Sequence, residues 1–287
     1  MTNIKKISGK ILYAIFLLLL SIIMLLPIYY LLVTTFKTPA EAAASPLGLP
    51  RHLTFDNYVN AIGAMHYGRS LANNLIIAVV SVICLIIFAS MAAYVVARGK
   101  RRIFRFMYSV FMVGLIIPFQ TSIIPLYKII SGMSLMNRHL GVILVDVFCI
   151  NLPLSIFLMK GFINTVPAEL EEAALIDGSG IFRCFWKIIF PLLKPIVSTV
   201  AILDTLAIWN DFMTPLLFLQ SPEKQVLLQQ VYRNVGPFST NWTAFFPMLV
   251  AATLPLVIFY LIMQKQIIEG VGCRRGEGVS APEVKSG

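Results

Sequence analysis

The acidic residues carry the clearest chemical pattern in this chain. Glu169, Glu171 and Glu172 follow Pro167 closely, and Asp177-Gly178 closes the same stretch. Proline suits a first helical turn, carboxylates there complement the positive end of the helix dipole, and glycine is a natural stop. The pattern predicts a short helix ending at Gly178. A second polar set, Asp204, Trp209, Asn210, Asp211 and Thr214, lies inside a long apolar run. Asp204 and Asp211 are about two helical turns apart and would share one face of an unbroken helix. Such groups suit the hydroxyls of a polar solute, with Trp209 or Phe212 to stack on. They equally suit hydrogen bonds to neighbouring helices. Asp146 and Asn151, in another apolar run, are read as helix-packing groups.

Catalytic and metal-binding patterns are missing. No Gly-x-x-x-x-Gly-Lys-Ser/Thr element occurs; Ser8-Gly9-Lys10 lacks the upstream glycine and runs straight into an apolar segment. His52, His66 and His139 are scattered and are read as solvated. Cys84, Cys149, Cys184 and Cys273 have no metal-ligand spacing, and the first two are read as small packed hydrophobes. No catalytic residue and no metal site is assigned, and this chain is expected to bind no cofactor.

These residues must be positioned by a membrane-embedded scaffold. Of 287 residues 58% are hydrophobic and 13% charged, against about 25% charged in a soluble domain. The apolar residues fall into six runs, 11–33, 75–96, 104–127, 140–160, 196–219 and 245–263, each of a length that suits a bilayer core. The third is the weakest, since it holds Pro118, Gln120 and Pro125. The first is too long for the apolar part of a signal peptide and is read as a retained anchor. The fold class is therefore all-α, with six transmembrane helices. The net charge of +10 gathers at the ends of these runs, as membrane topology requires and nucleic-acid binding does not. Most Lys and Arg residues, above all Arg98, Lys100, Arg101, Arg102 and Arg105, fall in segments that are cytoplasmic if both termini are.

The acidic stretch then lies in a cytoplasmic loop between spans four and five, at about 163–195. A second short helix is expected over 181–190, with Arg183 and Lys187 one turn apart and Pro191 and Pro195 breaking it before span five. Leu170, Leu175, Phe182 and Trp186 are apolar, and Ala173 and Ala174 would let another surface approach closely. The residues alone leave two readings open: an amphipathic hairpin lying in the headgroups, or a docking surface for another protein.

Glu172-Ala173-Ala174-x-x-Asp177-Gly178, followed by Ile188-x-x-Pro191, resembles the EAA loop of the permeases of binding-protein-dependent ABC importers. Leu53-Thr54-x-Asp56-Asn57-Tyr58, Asn73-Asn74, Ala93-Tyr94-x-x-Ala97-Arg98, Ile117-Pro118-x-Gln120 and Trp209-Asn210-Asp211-Phe212-x-x-Pro215-Leu216 are similar to the carbohydrate branch, in particular its shorter, MalG-like subunits. The resemblance implies a type I ABC importer transmembrane domain whose EAA loop is a coupling helix. Glu172, Ala173, Ala174, Asp177, Gly178 and Pro191 would face the ATPase, and Asp204, Trp209, Asn210, Asp211 and Thr214 would line the pathway. It divides the chain into 1–70, a permease core 71–266 and a tail 267–287. It implies a bacterial inner-membrane location and a sugar or oligosaccharide substrate. The implied partners are a second, MalF-like permease, a cytoplasmic ABC ATPase dimer that uses ATP and Mg, an extracytoplasmic solute-binding protein and membrane lipid, with no nucleic acid. Phe190 stands where the family usually has leucine, and the tail around Gly272-Cys273-Arg274-Arg275-Gly276 departs from the family's glycine spacing. An importer for a peptide or polyamine is the alternative within the class. An ion-coupled secondary transporter would need a coupling site and often an internal repeat, and no repeat is visible.

Overall fold

The computed structural model describes residues 2–234 and 241–272, among which every regular element is helical. In chain order these are α1 (Thr2–Thr34), α2 (Pro39–Ala44), α3 (Asp56–Ala64), α4 (Tyr67–Arg98), α5 (Arg102–Ile116) and α6 (Phe119–Gly132). They continue with α7 (His139–Ile163), α8 (Glu169–Ile176), α9 (Ile181–Leu192), α10 (Lys194–Trp209), α11 (Met213–Phe218), α12 (Leu227–Arg233) and α13 (Trp242–Gly272). The departing tail motif at Cys273-Arg274-Arg275-Gly276 lies outside the described residues.

Four stretches are long and apolar enough to cross a membrane: Lys10–Thr34, Tyr67–Arg98, His139–Ile163 and Trp242–Gln264. Two bent pairs bring the number of candidate spans to six. The first pair corrects the expectation of one helix over 104–127. α5 and α6 meet at 108°, because Pro118 offers no N–H and holds Ile117 in extended backbone (φ −73°, ψ 119°). Pro125, by contrast, sits inside α6. The second pair is α9 with α10, bent by 76°.

Contacts gather the chain into two compact units, Met1–Gly68 with Gln230–Leu254, and Arg69–Gln229 with Pro255–Gly287. In the first, the most apolar window of α1 is entirely unburied, as befits a helix solvated by lipid. The segment after α1 is more ordered than its Pro, Gly and Ala content suggested. Lys37 is fully buried, and its Nζ donates to the carbonyls of Ser45 (2.8 Å) and Pro46 (3.1 Å). Asn57 on α3 donates to the carbonyls of Thr35 and Lys37, and the Tyr58 hydroxyl reaches Thr35. Tyr67 ties the start of α4 to the Ala251 carbonyl on α13.

The second unit is built around α7, with α5 and α10 packed against its C-terminal half. The middle of α7, Val145–Asn151, is π-helical. Asn73 on α4 donates to the carbonyls of Glu223 and Gln225, so α4 begins before the expected start of span two at residue 75. Two minor expectations fail here. Cys149 is exposed on its helix rather than packed, and His139 is half-buried, its Nε2 3.4 Å from the Lys224 carbonyl oxygen.

Candidate functional site

The acidic loop forms two helices, as its punctuation predicts. Pro167 precedes α8 rather than opening it, and the three glutamates occupy its first turn. Gly178 adopts φ +81°, a left-handed conformation that glycine takes without Cβ strain. Its N–H and that of Ser179 return to the carbonyls of Leu175 and Ala174, which satisfies acceptors left open at the helix end.

The phase of α8 divides its side chains. Glu171 and Ala174 are buried, whereas Leu170, Glu172, Ala173, Leu175, Ile176, Asp177 and Gly178 are exposed. Glu171 is gripped from α4: Arg98 Nε donates to Oε1 at 2.7 Å and the Tyr94 hydroxyl donates to Oε2 at 3.0 Å. Arg98 also donates to the Val166 carbonyl at 2.7 Å. Tyr94 and Arg98 are one turn apart on α4, so the grip comes from a single face. Sequence reasoning read Glu171 as complementing the helix dipole and Arg98 as a mark of topology, and did not pair either with the other or with Tyr94. The usable signal was the pairing of a Tyr-x-x-x-Arg face at a span end with three carboxylates in the loop.

α9 extends the same platform inward. The Phe185 ring lies 5.2 Å from Tyr94 and 5.1 Å from Trp186, and Trp186 lies 4.8 Å from Phe190. Phe182 remains 67% exposed. Pro191 is exposed and follows the π-helical turn Phe185–Ile189, and the helix ends one residue later at Leu192. The bend falls at Leu193, and Pro195 opens α10.

The polar set of span five is rearranged relative to expectation. α10 ends at Trp209, so Asp204 and Asp211 do not share one continuous helix. Asp204 is 2% exposed and accepts from Ser155 Oγ on α7 at 2.9 Å, a bond between helices. Trp209 is buried, and Asn210 is exposed with its amide donating to the Leu206 carbonyl. Asp211 sits in the break, where its Oδ1 accepts from the N–H groups of Met213 (2.9 Å) and Thr214 (3.1 Å) and starts α11. Thr214 is fully buried. Asn151 bonds within α7, donating to the Asp146 carbonyl, in keeping with a packing role.

The sequence pattern of the binding-protein-dependent transport system inner membrane component family matches residues 85–271. The chain belongs to this family. It is 35% identical to the melibiose/raffinose/stachyose import permease protein MelC of Bacillus subtilis, over 86% of this chain and 89% of that one. It is 34% identical to the multiple sugar-binding transport system permease protein MsmG of Streptococcus mutans, covering 87% and 91%. It is 32% identical to the diacetylchitobiose uptake system permease protein NgcG of Streptomyces coelicolor, covering 89% and 85%. The fold is that of a chain from a bacterial ABC transporter involved in the import of the polysaccharide alginate, with a TM-score of 0.80 at 22% identity over 91% of this chain and 96% of that one. As an inner-membrane component of a transport system, this protein is a permease.

Proposed function

We propose that the chain is one of two permeases in a sugar or oligosaccharide importer, and that α8 is its coupling helix. The carrying observation is the two-sided character of α8. Its inner side is held by Arg98 and Tyr94 through Glu171, and its outer side presents Glu172, Ala173, Leu175, Ile176 and Asp177 beside the left-handed Gly178. A helix fixed on one side and free on the other passes a push from a docked partner into the span that holds it. The partner is a separate cytoplasmic ATPase dimer, which supplies ATP and Mg chemistry. A second permease completes the pathway, and an extracytoplasmic binding protein delivers the solute. Both termini and α8 then lie on the cytoplasmic side, in agreement with the Arg98–Arg105 cluster. The sugar assignment rests on the relatives named above, which are permeases for sugars and oligosaccharides.

Replacing Glu172 by Lys tests the reading. The exposed site tolerates the side chain, so the protein should insert and assemble with its second permease while solute uptake is lost. Normal uptake by a correctly inserted Glu172→Lys protein would remove α8 from the coupling path.

A further inference from the structure

Two carboxyl groups in the second unit each carry one buried oxygen that has no donor. Asp146, in the π-helical part of α7, is 1% exposed. Its carboxyl lies within hydrogen-bonding reach of the carboxyl of Asp211, in the break between α10 and α11. Asp211 Oδ1 is occupied by two backbone N–H groups. Asp211 Oδ2 and Asp146 Oδ1 are buried and receive no hydrogen bond from any group among the described residues. Thr214 Oγ1, fully buried on the same turn as Asp211, is also without a partner.

Two ionised carboxylates within hydrogen-bonding reach repel strongly, and Asp146, at 1% exposure, gets no relief from water. A neighbouring cation does not resolve the conflict, since the one salt bridge among the described residues is Arg98–Glu171. The other titratable groups near the pair are acidic or neutral: Cys149 lies in the same π-helical segment, and Asp204 on α10 is engaged by Ser155. One added proton satisfies both orphan oxygens at once, as the O–H of one carboxyl donates to the carboxylate of the other.

We propose that Asp146 and Asp211 form a proton-binding site, in which a single proton shared between the two carboxyls latches the π-helical segment of α7 to the break in span five. The latch joins two irregular backbone segments, the places where membrane helices yield most readily. It does not depend on which solute the importer carries.

The test is infrared difference spectroscopy of the assembled, purified importer at neutral pH, comparing wild type with Asp146→Asn and with Asp211→Asn. Asparagine keeps the shape and supplies a permanent N–H donor, so each variant retains the hydrogen bond without the proton. The expected result is a protonated-carboxyl C=O band in wild type that shifts in D2O and is absent from both variants. If one variant fails to assemble, the other gives the same reading, because either substitution removes the shared proton. A spectrum with no protonated carboxyl, or a band that survives in both variants, overturns the proposal. So does an unfolding temperature that rises with sodium over choline in wild type but not in Asp146→Asn, since the site would then hold a metal cation.

Discussion

At the scale of single residues, Arg98 and Glu171 tie α8 to the end of α4. Glu171 is 8% exposed, and its two oxygens are taken by Arg98 and Tyr94. Removing the guanidinium leaves a largely buried carboxylate with one neutral donor, at a cost of about 1–3 kcal/mol, since the site is less desolvated than a fully buried pair. Arg98→Ala is therefore expected to leave ATPase bound but to lower uptake far more than ATP hydrolysis. Glu171→Gln in the Arg98→Ala background should cost little more, as the two act together. Additive losses in that cycle would mean that the pair is not one device. Gly178 is the second residue of this kind. At φ +81° a Cβ costs about 1–2 kcal/mol, so Gly178→Val should lower both unfolding temperature and uptake. Gly178→Asn should do so less, because asparagine tolerates this conformation.

At the scale of elements, the structure rewards local punctuation and penalises arguments that need a neighbour. α8 was legible because Pro167, the three glutamates and Gly178 act within one segment. Pro118 marked span three as its weakest point, and the 108° bend falls there. The break in span five was less legible, since 196–219 reads as one apolar run. Its cue was Asp211 two residues before Met213, placed to accept from the first free N–H groups of a new helix. The inward phase of Glu171 depends on how α8 rests against α4, which no pattern within the loop records. The Ser155–Asp204 bond sets the packing of α10 on α7. Ser155→Ala removes the donor and is expected to destabilise the purified protein by about 0.5–2 kcal/mol, read as a lower unfolding temperature in detergent. An unchanged temperature would assign Asp204 elsewhere.

At the scale of the whole molecule, the proposed function makes the chain half of a membrane pathway, with one handle by which a separate motor moves it. The sequence holds no phosphate-binding loop, and on that proposal the energy enters from the ATPase through α8. The described residues place a hydrogen-bonded grip and an exposed, partly apolar surface on opposite sides of one short helix. The measurement that bears most directly on this arrangement is site-specific photo-cross-linking in the assembled importer. With benzoylphenylalanine at the exposed position 173, irradiation should join this chain to the ATPase subunit. An adduct confined to lipid, formed while the ATPase remains bound to the complex, would contradict the coupling role of α8.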